Sequence, residues 1–279
     1  MALTDLSSLA QARRRSGVGL GAFNVILLEH AEALTAAAER AGQPIVLQIS
    51  QNAVSYHGSL APIAAGTLAA AGAAGVPVVV HLDHATDVDL IKEAVELGFT
   101  SVMYDGSQLD DEANRRTTAQ VVEHCHAAGV PVEAELGEVG GKDGVHAPGV
   151  RTDPDQAAQF VADTGVDLLA VAVGSSHAMT ERSAELDNDL ITALARAVPV
   201  PLVLHGSSGV SDEGLRAAIS AGMTKINVST HLNVQFTARV RQILEDSPAL
   251  VDPRKYVGPG MKDVGTEVES LLRWYAMED

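Results

Sequence analysis

The chain is predicted to fold as one α/β domain, a (β/α)8 TIM barrel spanning residues 1–279 with a C-terminal helical extension. Three observations predict it. Eight short β-rich apolar runs alternate with Ala/Leu/Glu-rich stretches of helical period. No break in composition divides the chain, and its length suits an α/β barrel. Polar residues follow almost every apolar run, whereas a doubly wound sheet usually has fewer strands and one Gly-rich turn after the first.

The strands fall at 18–25, 45–50, 78–83, 101–104, 132–136, 168–173, 202–205 and 225–228. Helical periodicity fills 29–41, 88–97, 111–128, 154–164, 188–197 and 211–221. Several helix–strand junctions repeat one pattern: Ala-Gly-Gln-Pro at 41–44, Ala-Gly-Val-Pro at 74–77 and 128–131, Leu-Gly-Phe-Thr at 97–100 and Ala-Gly-Met-Thr at 221–224. Glycine stops the helix, and proline, where present, opens the next strand. Residues 60–80 carry no charge and are long enough to test as a membrane span. They are rich in Ala and Gly and contain Pro62 and Pro77, which fits a small-residue helix, a turn and a buried strand.

A core of Ala, Val and Leu follows from 46% apolar residues with only 3% aromatics. The formal net charge of −17 argues against nucleic acid or an anionic membrane as partner. A phosphate site must then rest on local donors or a metal. The single cysteine, Cys125, excludes an internal disulfide and points to a cytoplasmic protein.

Asn24, Ser50, Asp83, His84, Asp105, Glu135, His177, His205 and Asn227 all fall at or just beyond strand C-termini, which in a barrel converge on one mouth. His84, His177 and His205 close or follow the third, sixth and seventh strands, and neutral imidazole is the commonest zinc ligand. His81, three residues earlier, reads as a core histidine. Glu135 shares a strand face with Glu133 and is expected to support or supplement the metal ligands. His124, Cys125 and His126 resemble a metal cluster only on paper, because consecutive helix positions diverge.

Two polar turns follow strands seven and eight: Gly206, Ser207, Ser208 and Gly209, then Asn227, Val228, Ser229 and Thr230. Small residues let backbone N–H groups approach an anion, and the following helix N-termini add partial positive charge. A barrel's phosphate site commonly lies in these loops. The Gly-rich segment 137–144 is expected to form a lid carrying Lys142 and Asp143. Lys225 is placed at the start of its strand, at the barrel bottom and far from the mouth. No other lysine is predicted on a strand, so a Schiff base is disfavoured and metal-assisted chemistry favoured.

These residues resemble the class II, zinc-dependent fructose/tagatose-bisphosphate aldolases from about Asn24 to the C-terminus. The motifs are HLDH at 81–84, VMYDGS at 102–107, EAELGEVGG at 133–141, LHGSSG at 204–209, INVST at 226–230 and DPRKY at 252–256. The resemblance implies that His84, His177 and His205 ligate Zn2+, with Glu135 and Asp105 at an alternative metal position for a second divalent or a monovalent cation. It implies Asp83 as the acid exchanging a proton with the hydroxyl at the reacting bond, and Asp143 as the base borne on the lid. Gly206, Ser207, Ser208, Asn227, Ser229 and Thr230 would hold the phosphate of dihydroxyacetone phosphate. Arg254 would meet a distal phosphate, and Asn24 and Ser50 would lie beside the substrate.

The implied reaction is reversible cleavage of fructose or tagatose 1,6-bisphosphate or a related ketose phosphate, by a homodimer or homotetramer. Ala178 stands where the family usually has Gly, Met179-Thr180 replaces a Tyr-Lys pair, Asp143 replaces Glu, and the lid is shorter. Two other readings stay open on the residues alone. One is a zinc-dependent barrel hydrolase; the other is a non-catalytic aldolase-like stabilising subunit, which should have lost its metal histidines.

Overall fold

The computed structural model describes residues 2–136 and 151–278. Eight parallel strands form a closed barrel: β1 (Leu20–Asn24), β2 (Ile45–Ser50), β3 (Val78–Ala85), β4 (Ser101–Tyr104), β5 (Val132–Leu136), β6 (Leu168–Val171), β7 (Leu202–Leu204) and β8 (Met223–Val228). Strand β8 closes on β1 with Leu20 opposite Lys225 and Ala22 opposite Asn227. The helices are α1 (Leu6–Ser16), α2 (Leu28–Ala41), α3 (Gln51–His57), α4 (Ala61–Ala73), α5 (Val88–Leu97) and α6 (Asp111–Ala127). They continue with α7 (Pro154–Thr164), α8 (Asn188–Ala197), α9 (Asp212–Ala221), α10 (Thr230–Asp246) and α11 (Arg254–Tyr275).

Local chemistry explains where the helices start and stop. Asp87 accepts the N–H groups of Asp89 and Leu90 at the start of α5, and Leu90, Ile91 and Ala94 turn inward from it. Gly98 ends that helix at φ +93°, a conformation costly for residues with a Cβ. The uncharged stretch at 60–80 forms α4, a turn and the start of β3, and no helix among the described residues is long and apolar enough to cross a membrane.

Alternation along each strand sorts side chains between two cores. Outward residues such as Val78, Val80 and Leu82 pack beneath the helices. Inward residues Leu20, Ala22, Val46, Val79, Leu168, Ala170 and Val203 form an apolar floor that Leu6 and Ala10 of α1 join from below. One pleat higher the interior turns polar, with Gln48, His81, Ser101, Glu133 and Lys225 all buried. One pleat above these stand Ser50, Asp83, Glu135 and Asn227. The C-terminal helix α11 lies outside the barrel and buries Val264, Val268, Leu272 and Tyr275.

Strands β1, β3, β6, β7 and β8 each differ from expectation in at least one limit, and three of these limits have a clear tertiary reason. Strand β1 begins at Leu20 because Gly19 gives its N–H to the Tyr275 carbonyl (2.8 Å). Strand β6 stops at Val171 because Thr152 pairs there instead: Thr152 N–H donates to Ala172 O (3.0 Å), and Thr152 Oγ1 accepts from Ala172 N–H (2.8 Å). Strand β8 begins at Met223, which corrects the placement of Lys225 at the barrel bottom: it is the third residue of the strand and fully buried in the polar layer.

Candidate active site

Strand β3 delivers Asp83 and His84 through a kink. The register against β4 shifts between Leu82 and Ala85, and His84 adopts φ +49°, a left-handed conformation uncommon outside glycine. Backbone strain of this kind gathers at functional sites. It brings Nδ1 of His84 to 3.0 Å from Asp105 Oδ2, while Asp105 Oδ1 accepts the Ser107 hydroxyl (2.6 Å) and N–H (3.2 Å).

His205 follows β7 directly and is fully buried between two carboxylates of β5. Its Nδ1 lies 2.7 Å from Glu135 Oε2 and its Nε2 3.0 Å from Glu133 Oε1. Burial alone would lower the His205 pKa, but these bonds outweigh it and raise the value to about 9. His177 arrives from the loop after β6, its ring centroid 5.1 Å from that of His84 and 5.8 Å from that of His205.

Ligand atoms of His84, Glu135, His177 and His205 all lie within 4.8 Å of one another. Three imidazoles and a carboxylate suit zinc and similar divalent transition ions. Asp105 stands outside this cluster and orients His84 from behind. Of the expected metal residues, the structure therefore gathers four at one point and sets the fifth as support.

The cluster opens into a pocket of about 630 Å3 at the barrel mouth. Asn24, Ser50, Asp83, His84, Asp105, His177, Gly206, Ser208, Asn227, Ser229 and Thr230 all line it. Asp83 is 2% exposed and sits 3.4 Å from Asn227 Nδ2. Burial pushes its carboxyl pKa up, but the nearby His84 first, and then Lys225 and His205, hold it below the usual range.

The two polar turns meet in the pocket wall. Gly206 has φ +66°, and a Cβ there would fall 2.6 Å from the Ser176 backbone. Helix α10 starts at the wall with Thr230, so its N-terminal dipole faces the pocket. Ser207 does not reach the pocket; its hydroxyl donates to the Asn227 carbonyl and ties one turn to the other. Ser208 Oγ accepts the His231 N–H (3.2 Å), and His231 Nε2 pairs with Glu267 of α11 (2.7 Å). His231 thus braces the start of α10.

Other expected residues lie elsewhere. Arg254 is at the start of α11, its side chain 87% exposed and paired with Asp252 (2.9 Å), and it does not line the pocket. Asp143 and the expected lid lie outside the described residues. His81 sits in the core with Nδ1 2.9 Å from Ser101 Oγ, as expected. On α6, His124 and His126 are exposed and Cys125 is buried, so the three side chains do diverge.

Sequence reading missed Gln48, Gln51, Asn52, Tyr56, Thr86 and Gln108 in the pocket wall, and Glu133 and Lys225 beneath it. Gln48 was within reach, because period two places it on the face of Ser50. No lysine of the described residues lines the pocket.

The sequence model of the family described as "Fructose-bisphosphate aldolase class-II" matches residues 4–279. The chain is 38% identical to the fructose-bisphosphate aldolase of Thermus caldophilus, over 99% of this chain and 98% of that one. It is also 38% identical to the fructose-bisphosphate aldolase of Geobacillus stearothermophilus, over 98% and 96%. Among solved structures, the YdjI aldolase from Escherichia coli K12 superposes with a TM-score of 0.87 at 32% identity, over 98% of this chain and 97% of that one. A putative fructose-1,6-biphosphate aldolase from Coccidioides immitis gives 0.85 at 31%, with the same coverage. With its closed barrel, its cluster of histidines and carboxylate at the mouth, and matches that span nearly its whole length, the chain belongs to the class II fructose-bisphosphate aldolases, a family of metal-dependent lyases acting on phosphorylated sugars.

Proposed function

We propose that the protein is a zinc-dependent aldolase that reversibly cleaves fructose or tagatose 1,6-bisphosphate to dihydroxyacetone phosphate and glyceraldehyde 3-phosphate. The observation that carries this reading is the meeting, at one mouth, of the His84–Glu135–His177–His205 cluster, the buried carboxylate of Asp83 and two small-residue turns. A hydrolase would use the same ligands but leaves the paired turns without a role. Retention of all three histidines speaks against a stabilising subunit.

His84, His177 and His205 hold the metal in this proposal, with Glu135 beside them. A bound zinc ion supplies Lewis acidity toward the carbonyl oxygen of the bound ketose. The turns at Gly206–Ser208 and Asn227–Thr230 seat the phosphate next to it, offsetting the acidic surface locally through backbone and hydroxyl donors. Asn24 and Ser50 orient the substrate hydroxyls. In cleavage Asp83, already ionised, takes the proton of the hydroxyl at the breaking bond, and it returns that proton in condensation. Asp143 is assigned the carbon-bound proton on the family resemblance alone. A distal phosphate contact by Arg254 needs an arrangement that the isolated chain does not provide. The acidic surface and single buried cysteine support a cytoplasmic protein, and the resemblance supports a homodimer or homotetramer.

The test is a cleavage assay of zinc-loaded protein over fructose and tagatose bisphosphates and the matching ketose 1-phosphates. Turnover of a bisphosphate supports the proposal. Failure with every ketose phosphate, by protein shown to hold one zinc per chain, refutes it.

A further inference from the structure

Beneath the mouth, the barrel buries an ion pair that touches no substrate in the aldolase reading. Lys225 Nζ lies 2.8 Å from Glu133 Oε2, and both side chains are fully buried. The other oxygen of Glu133 is 3.0 Å from His205 Nε2. A buried ion pair is often no more stabilising than apolar side chains of similar volume, because desolvation offsets the attraction. Apolar residues already fill the floor directly below, at Leu20, Val79, Leu168 and Val203. Stability alone therefore does not explain the pair.

We infer that Lys225 is a positioning residue of the metal centre, acting through Glu133 to decide which nitrogen of His205 faces the cluster. Lys225 lies one pleat below Asn227 on β8, and Glu133 one pleat below Glu135 on β5, so period two points all four inward. Lys225 anchors Oε2 of Glu133 and balances its charge, which leaves Oε1 to accept the Nε2 proton of His205. Nδ1 is then the nitrogen turned to the cluster, 2.7 Å from Glu135. His84 is set the opposite way, with Asp105 on Nδ1, so it offers Nε2. Ser101 holds the ring of His81 at 2.9 Å, with its Nε2 3.8 Å from Glu133 Oε2, and so closes the far side of the carboxylate. A carboxylate on the far nitrogen of a ligating histidine fixes its tautomer and orientation and raises its basicity.

The sign of the effect separates this from simple electrostatics. As a bare charge, Lys225 would repel a divalent cation, and its removal would tighten metal binding. As a positioning residue, its removal weakens binding. The inference rests on His84, His177 and His205 being metal ligands.

The experiment titrates metal-stripped, full-length protein with Co2+, reading affinity by chelator competition and geometry by the ligand-field absorption bands. Thermal unfolding of each metal-free variant checks the fold. Lys225→Met and Glu133→Gln should each weaken Co2+ binding roughly ten- to a hundredfold and alter the bands. The double variant should lose no more than the worse single variant, because both residues act along one chain. It buries no net charge and keeps a carbonyl for His205, so it decides the matter if Lys225→Met does not fold. Wild-type affinity in the folded double variant, or tighter binding by Lys225→Met, overturns the inference. Wild-type protein that binds no Co2+ would instead refute the metal-centre reading beneath it.

Discussion

Replacing Asp83 with Asn tests the division of labour at the mouth. The substitution keeps the side-chain volume and a polar contact to Asn227, and it removes only the ionisable group. That group is buried, yet His84, Lys225 and His205 around it hold it below the usual carboxyl range, so at neutral pH it rests in the ionised form that cleavage requires. A positioned acid or base contributes roughly 10²–10⁴ in rate, which is about 2.7–5.4 kcal/mol of barrier at 1.36 kcal/mol per decade. Weakening the 3.4 Å contact to Asn227 costs far less, at most about 1 kcal/mol for a long neutral hydrogen bond. The two effects are thus separable by size. Cleavage of fructose 1,6-bisphosphate should fall by at least about a hundredfold, whereas exchange of the dihydroxyacetone phosphate C–H proton with deuterated solvent, followed by NMR, should largely persist. Because Asp83 precedes His84, zinc content must be measured on the variant. A fully metallated Asp83→Asn protein that loses exchange as completely as cleavage would refute the assignment.

Chelation should abolish activity and added Zn2+ or Co2+ restore it; full activity at a verified absence of metal would contradict the proposed chemistry. Borohydride with substrate should leave the enzyme active, since no described lysine lines the pocket; a peptide map showing substrate fixed to a lysine would count against this. Ala178, beside His177, has φ +59°. Ala178→Gly relieves a left-handed cost of roughly 1–2 kcal/mol and forfeits roughly 0.4–1 kcal/mol through the freer unfolded chain. A net gain on the order of 0.5 kcal/mol should appear in urea unfolding, and a clear loss would show that the alanine methyl is needed there. The Glu267 pKa is lowered by its hydrogen bond from His231. The stability it contributes is present above its unfolded value and disappears as pH falls through the folded one. Glu267→Gln should therefore flatten the fall in stability of metal-free protein below about pH 4.3; an unchanged acid limb would argue against the pairing.

What the sequence determined by itself is local in origin. Glycines and prolines at 42–44 and 129–131, and alternating apolar residues in runs such as 78–83, specify where elements begin and end. Backbone sterics and burial set that punctuation without reference to distant residues. Since parallel barrel strands present their C-termini at one end, the same reading placed Asp83, His84, Glu135, His205 and Asn227 together at the mouth. The long-range pairings had to come from the tertiary structure. Lys225 read as a strand opener, yet it lies in the interior, where a lone charge is prohibitively costly and only the approach of Glu133 from β5 makes its position tenable. The opposite orientations of His84 and His205 depend on which carboxylate stands behind each ring, Asp105 for one and Glu133 for the other. Arg254, whose motif suggested a phosphate contact, was carried outward by α11, because the packing of that helix on the barrel wall fixes the start of the helix away from the pocket. Motif and period act along the chain, whereas a tautomer, a buried ion pair and the reach of a helix are settled by residues that meet only when the barrel closes.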